Sequence, residues 1–106
     1  MSGKGKRPDL VFGASGYIGT NLVEFLLDEG RTVRASSRTI EVLRGRGWDR
    51  AEVREADALE PASLDAVLGN VDTAYYLVHS MAAGKSFPEI DAEAARNFAA
   101  AAARQN

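Results

Sequence analysis

A glycine-rich turn between an apolar strand and an apolar-periodic helix constrains this chain more than any other feature. Leu10–Phe12 is a run of consecutive apolar residues, typical of a strand buried on both faces. Gly13–Gly19 follows it, and an apolar stripe at helical spacing continues to Glu29. Backbone N–H groups and the helix dipole at such a helix start favour an anion. The sequence therefore predicts a strand–turn–helix unit suited to binding phosphate.

The three glycines of this turn have different expected roles. Gly13 would make the tight turn off the strand, Gly16 would let a pyrophosphate approach the backbone, and Gly19 would let the helix pack closely against the sheet. Three glycines alone are a weak signal, since turn or cap glycines can lie close by chance and FAD and S-adenosylmethionine folds also use glycine turns. The interpretation depends on a βαβ unit around them.

The rest of the chain supplies that unit, because strands and helices alternate. The predicted strands are Asp9–Phe12, Thr32–Ser36, Ala51–Glu55 and Val71–Val78, and the predicted helices run from Tyr17 to Glu29, from an N-cap at Thr39 to Arg44, onward from Pro61, and onward from Ser86–Glu89. Strict alternation implies an α/β fold, a three-layer doubly wound parallel sheet with helices on both faces. Right-handed crossovers give the strand order 3-2-1-4.

The fourth strand raises a question about the edge of this sheet. Val71–Val78 is the most hydrophobic of the four strands, which is typical of a central position. The sequence stops after the fourth helix, and this leaves the fourth strand at an edge, where long apolar strands are avoided. We therefore expect residues 9–106 to be the N-terminal portion of a longer protein, or to pair with a second chain at that edge. Residues 1–8 are expected to form a disordered leader.

Composition limits the classes of function. A net charge of −2 over 106 residues offers no basic field for nucleic acid or anionic lipid. The chain has no cysteine, which excludes disulfides and thiol chemistry. No apolar run approaches the ~18 residues that cross a membrane, and the first residues lack the apolar core of a signal peptide. We expect a cytoplasmic protein that binds neither nucleic acid nor membrane.

The glycine spacing, G-x-x-G-x-x-G, carries family information. Phe12–Gly19 resembles the fingerprint of extended and atypical short-chain dehydrogenases/reductases, and most closely their NmrA-like, NAD(P)H-binding and NAD-dependent epimerase/dehydratase-like branch. The resemblance continues through Asp57, Tyr75–Met81 and Ala94–Phe98, and it spans residues 9–105. It implies a Rossmann domain that binds NAD(P)(H) in an oxidoreductase or epimerase. The alternative that it leaves open is a redox-sensing module that binds the dinucleotide without turnover.

The end of the second strand indicates which dinucleotide to expect. Folds that bind NAD usually place an acidic residue ~20 residues past the glycine turn, where it accepts from the ribose 2′-OH. Here Arg38 occupies that position, and no Asp or Glu lies between Arg31 and Ile40. An arginine pairs with a 2′-phosphate, which a carboxylate would repel, and the Ser37 hydroxyl could bond the same phosphate. We therefore predict NADP rather than NAD, although Arg38 could also be a solvated surface charge.

The other candidate residues come from the ends of the third and fourth strands. The family resemblance implies that Asp57 accepts from the adenine amino group, and the alternative is that it caps the following helix. Leu77, Val78 and His79 end the fourth strand, on the edge of an open α/β sheet where ligands bind. The predicted cofactor contacts are Gly13, Ser15, Gly16, Tyr17, Ile18, Gly19, Ser37, Arg38, Asp57, Ala58, Leu77, Val78 and His79.

Catalytic residues are not predicted. The family performs its chemistry with a Tyr-x-x-x-Lys pair, in which the tyrosine is the acid/base. The residues four positions after Tyr17, Tyr75 and Tyr76 are Asn21, His79 and Ser80. No carboxylate or nucleophile can be paired with His79 from the sequence, and no metal site is predicted. Whether a parent protein is catalytic stays open.

Overall fold

A computed structural model describes residues 7–78, 81–82, 85–86 and 88–105, with the backbone alone for residues 81–82 and 85–86. The elements in chain order are β1 (Asp9–Phe12), α1 (Tyr17–Asp28), β2 (Val33–Ser37), α2 (Ile40–Arg44), β3 (Ala51–Glu55), α3 (Pro61–Leu68), β4 (Thr73–Tyr76), β5 (Met81–Ala82), β6 (Lys85–Ser86) and α4 (Pro88–Gln105). β5 and β6 form a short antiparallel pair, which the sequence pattern did not predict.

The strands β1 to β4 form one parallel sheet in the order β3-β2-β1-β4. This order and the helices between the strands confirm the predicted doubly wound α/β fold. All four residues of β1 are buried, as consecutive apolar residues in a central strand require. Because the strands are parallel, their carboxyl ends all lie at the same edge of the sheet.

β4 is shorter than its prediction and lies at the edge of the described sheet. Its ladder with β1 runs only from Asp9 opposite Thr73 to Phe12 opposite Tyr76. The four residues of β1 therefore set the length of β4, and the flanking apolar residues of Val71–Val78 lie outside the strand. Thr73 and Ala74 are exposed. Among the described strands, β4 pairs with β1 alone.

Two apolar cores lie on opposite faces of the sheet. One joins β1 to α1 and α2 and includes Val11 and Leu43. The other joins β1 to α3 and α4 and includes Phe12, Leu64 and Phe98. The rings of Phe12 and Phe98 lie 5.1 Å apart, which fixes α4 against the carboxyl end of β1. No helix in the described ranges is both long enough and apolar enough for a membrane crossing.

Two helix ends follow their sequence signals, and a third does not. α1 ends one residue before the prediction, and Gly30 (φ of 80°) closes it with an N–H that donates to Leu27 O at 3.0 Å. Pro61 begins α3, as predicted. Thr39 occupies the N-cap position of α2, but its side chain makes no cap hydrogen bond. The Thr39 hydroxyl contacts Ser37 instead.

Candidate functional site

A cleft of about 290 Å³ opens at the carboxyl edge of the sheet. The glycine turn, the end of β2, the segment after β3 and the segment after β4 all contribute to it. The lining residues are Phe12, Gly13, Ser15, Gly16, Ser37, Arg38, Ala56, Asp57, Ala58, Leu59, Leu77, Val78 and Ala94. Ligands of open α/β sheets bind in this position, so the sheet topology and the position of the cleft indicate the same candidate ligand site.

The glycine turn is packed so tightly that two of its positions require glycine. Gly13 has a φ of 98°, and a Cβ there would lie 2.6 Å from the carbonyl oxygen of Leu77. A Cβ on Gly19 would collide with the Gly13 carbonyl and lie 2.8 Å from the Cα of Ala14. The N–H groups of Gly13 and Ala14 both donate to Ser36 O, at 2.8 and 3.0 Å. These contacts fix the turn against the end of β2 and against α1.

Gly16 differs from these two glycines because the space beside it is open. It is the N-cap of α1, and the nearest atom to a Cβ there would be the Gly13 carbonyl oxygen at 3.8 Å. No side chain caps the first turn of α1, and no acidic residue lies in that turn. The side chains of Tyr17 and Ile18 are 85% and 67% exposed and do not line the cleft. These two residues would therefore meet a ligand through the N–H groups of the helix end.

Three hydroxyl groups lie together where the glycine turn meets the end of β2. Ser37 Oγ donates to Ser15 Oγ at 2.9 Å and lies 3.1 Å from Thr39 Oγ1. The Thr39 N–H donates to Ser37 Oγ at 3.1 Å. Arg46 reaches the same turn from the loop after α2 and donates to Ser15 O at 3.1 Å. The Ser37 hydroxyl, which the sequence suggested as a direct phosphate contact, is thus bonded within the protein.

Arg38 is an exposed cation at the same end of the cleft. Within the described part of the chain, its guanidinium makes no hydrogen bond or ion pair. Arg34, the second residue of β2, is held instead by Glu52 at 3.0 Å and by the carbonyl oxygens of Val67 and Gly69 at 2.6 and 2.9 Å. The fold therefore uses Arg34 to join β2 to α3 and leaves Arg38 at the cleft.

The opposite wall of the cleft is formed by the segments after β3 and β4. Asp57 Oδ1 accepts from the Leu59 N–H at 2.9 Å, while Glu60 occupies the N-cap position of α3. The carboxylate of Asp57 thus shapes its own loop rather than capping the helix. The Leu77 N–H donates to Phe12 O at 2.8 Å and continues the sheet into the cleft. His79 lies outside the described residues.

Sequence reasoning missed some lining residues and two residues that brace the lining. The unpredicted lining residues are Phe12, Ala56, Leu59 and Ala94. The first three adjoin predicted positions, so adjacency could have identified them. Asn97 Nδ2 donates to Ala58 O at 2.9 Å from 39 positions away, and Arg46 reaches Ser15 from 31 positions away. Asn97 lies in the Ala94–Phe98 part of the family resemblance, which gave it no role, and no local pattern marks Arg46.

One titratable group near the end of β4 has a shifted pKa. Burial raises the pKa of Tyr76 above its ordinary value of 10.0, and the negative charge of Asp91 raises it further. The Tyr76 hydroxyl is buried and has no hydrogen-bond partner in the described part of the chain. The group is therefore neutral at physiological pH. No cluster of His, Cys, Asp or Glu in the described ranges is arranged to hold a metal ion.

Comparison of the sequence with protein families agrees with the geometry of this site, which combines a glycine turn, an open start of α1 and a cleft at the carboxyl ends of the strands. Residues 13–106 match the NAD(P)H-binding family. The chain belongs to this family. It is therefore an NAD(P)H-binding domain with a Rossmann-like fold, and its cofactor is a nicotinamide dinucleotide. A search of curated protein sequences found no match.

Solved structures share the fold of this NAD(P)H-binding domain at low sequence identity. A Rossmann-fold NAD(P)-binding family protein from Shigella flexneri matches 93% of the chain with a TM-score of 0.77 and 18% identity. The anaerobillin reductase ChuY from Escherichia coli O157:H7 matches 92% of the chain with a TM-score of 0.73 and 23% identity. A nucleoside-diphosphate-sugar epimerase from Staphylococcus aureus matches 92% of the chain with a TM-score of 0.75 and 18% identity. The chain spans 47%, 46% and 34% of these proteins, respectively.

Proposed function

We propose that this domain binds NADP(H) in preference to NAD(H), with the adenosine 2′-phosphate beside Arg38. The observation that carries this proposal is the place of Arg38, which follows β2, lines the cleft and makes no ion pair within the described residues. A guanidinium can bond a phosphate with two parallel N–H groups. A carboxylate in this position would favour NAD instead.

The start of α1 supports a place for the pyrophosphate. Its first turn lacks a side-chain cap and acidic residues, and the space beside Gly16 is open. The unpaired N–H groups and the positive end of the helix dipole stabilise an anion there. In this arrangement the adenine lies toward Asp57 and Ala58, and the dinucleotide continues past Leu77 and Val78.

For a protein built on this domain we propose an oxidoreductase or an epimerase. The bound nicotinamide would supply hydride transfer in either case. One structural neighbour is a reductase and another is a sugar epimerase, which supports this reaction class. A cytoplasmic location remains a prediction, which cell fractionation would test.

We also propose that a strand absent from this chain covers the open side of β4. The exposed Thr73 and Ala74 support this, because the described sheet offers β4 one neighbour only. The strand would come from the C-terminal region of a longer protein or from a second chain. Amide hydrogen exchange of β4, compared between this domain alone and a longer protein that contains it, would test this proposal. Equal exchange rates in the two samples would contradict it.

Titration with NADPH and NADH, followed by nicotinamide fluorescence, tests the cofactor preference. We expect NADPH to bind at least about tenfold more tightly, and we expect Arg38→Asp to reverse the order. Arg50→Asp is the matched control. Arg50 is exposed and precedes β3, so it lies at the amino ends of the strands, away from the cleft. An NADPH/NADH ratio that Arg38→Asp leaves unchanged would exclude the 2′-phosphate from this position.

A further inference from the structure

The three hydroxyl groups of Thr39, Ser37 and Ser15 form a hydroxyl chain, and this chain has a direction. A serine hydroxyl carries one hydrogen and two lone pairs. The hydrogen of Ser37 is donated to Ser15 Oγ, so Thr39 must be the donor in its 3.1 Å contact with Ser37. Ser37 Oγ also accepts from the Thr39 N–H. Ser37 thus has three partners and no capacity left for a ligand.

The last hydrogen of the hydroxyl chain belongs to Ser15. Ser15 Oγ accepts from Ser37, and its own hydrogen has no acceptor among the residues that the structure describes. Ser15 lines the cleft together with Arg38. Consecutive hydrogen bonds polarise one another, so Thr39 and Ser37 strengthen Ser15 as a donor. Arg46 holds the Ser15 carbonyl at 3.1 Å and keeps the residue in place.

We propose that the hydroxyl chain makes Ser15 a dedicated donor to the 2′-phosphate, and that Ser37 and Thr39 are positioning residues that act only through Ser15. This inference rests on the proposed NADP preference. A phosphate oxygen is an anionic acceptor, and a hydrogen bond to it is roughly twice as strong as one to a neutral group. A ribose 2′-OH gains less from the same donor. The hydroxyl chain therefore increases selectivity for NADPH over NADH.

A double-mutant cycle on Ser15→Ala and Thr39→Val tests whether Thr39 acts through Ser15. Valine removes the hydroxyl of threonine at nearly constant shape, and α2 loses no cap hydrogen bond. We expect Ser15→Ala to weaken NADPH binding about tenfold and Thr39→Val about threefold, with less than about twofold changes for NADH. In the Ser15→Ala background, Thr39→Val should have no further effect. Thr39→Ser should retain the wild-type NADPH/NADH ratio.

The controls separate this inference from a merely structural effect. Thr73→Val makes the same substitution at an exposed position of β4 and should leave both affinities unchanged. If Thr39→Val loses its circular dichroism signature, Ser37→Ala replaces it in the cycle, and it too should have no further effect in the Ser15→Ala background. Equal losses for NADPH and NADH, or an equal Thr39→Val effect in both backgrounds, would overturn the inference.

The failure of the proposed function would give a different result. A wild-type chain that binds neither dinucleotide refutes dinucleotide binding in this cleft and the inference with it. A wild-type chain that binds NADH as tightly as NADPH refutes the 2′-phosphate site and the inference. A wild-type chain that prefers NADPH, with variants that keep that preference, refutes the inference alone.

Discussion

Two groups of polar side chains, one at each end of the parallel strands, differ in how far the fold pairs them. At the amino edge, the buried carboxylate of Asp9 accepts from Arg31 at 2.9 and 2.7 Å, and Arg31 also bonds Asp72 at 3.2 Å. At the carboxyl edge, the Arg38 guanidinium and the Ser15 hydrogen have no partner among the described residues. Polar groups satisfied within the fold stabilise it, while groups left open are available to a ligand. Substitutions at the two edges should therefore separate stability from binding.

The largest expected effect is the loss of dinucleotide binding in Gly16→Val. Apart from Gly16 and its chain neighbours, no atom would lie nearer than 3.8 Å to the Cβ in the free protein, and the extended backbone at Gly16 suits any residue. A branched side chain would, however, occupy the space in front of the first turn of α1. We expect NADPH affinity to fall by more than about 100-fold, or about 2.7 kcal/mol, with thermal stability retained. Titration and thermal unfolding measure the two effects.

Gly69→Val is the matched control at the amino edge. Gly69 follows α3 with extended backbone, and its nearest contacts to a Cβ also lie at 3.8 Å. This variant should bind NADPH as the wild type does. Wild-type NADPH affinity in Gly16→Val would show that the pyrophosphate does not bind at the start of α1. Unfolding of Gly16→Val would show that glycine is needed there for the structure.

Local sequence patterns account for most of the fold and for part of the cleft. Pro61 was predicted to begin a helix because its fixed φ favours the first helical position whatever the rest of the chain does. The length of β4 could not be predicted in this way, since it depends on the number of residues that β1 offers for pairing. The contact of Arg46 with Ser15 likewise exists only after the sheet has brought distant segments together.

The next largest effect concerns the amino edge, where Asp9→Ala should lower stability without changing affinity. Asp9 is 1% exposed and accepts two hydrogen bonds from Arg31. Removing the carboxylate leaves a buried space and breaks both bonds. We expect the free energy of unfolding to fall by about 2 kcal/mol, measured by urea unfolding. NADPH affinity should stay within about twofold, because the cleft lies at the other edge.

Asp65→Ala is the control for the loss of a carboxylate. Asp65 pairs with Arg104 at 2.9 Å, but both side chains are about half exposed. Such pairs contribute about 0–1 kcal/mol, so this variant should remain close to the wild type. If Asp9→Ala lowered the free energy of NADPH binding as much as the free energy of unfolding, the two ends of the sheet would be energetically coupled.

The smallest expected effect is a change in the pH dependence of stability in Tyr76→Phe. Burial and then the charge of Asp91 raise the pKa of Tyr76 above 10.0, whereas a tyrosine in the unfolded chain ionises near the ordinary value. As pH rises past 10.0, the unfolded state loses a proton that the native state retains. The contribution of Tyr76 to stability is therefore fully present below that pH and is lost as pH rises through its native pKa.

Tyr76→Phe should flatten this decline, as measured by urea unfolding between neutral and alkaline pH. At neutral pH the substitution should change stability by less than about 1 kcal/mol, because the hydroxyl is buried without a partner in the described part of the chain. Tyr75→Phe removes a hydroxyl from the opposite face of β4 and should retain the decline that Tyr76 causes. An alkaline decline as steep in Tyr76→Phe as in the wild type would assign it to other groups, and the Tyr76 hydroxyl would then have no measurable influence on folding.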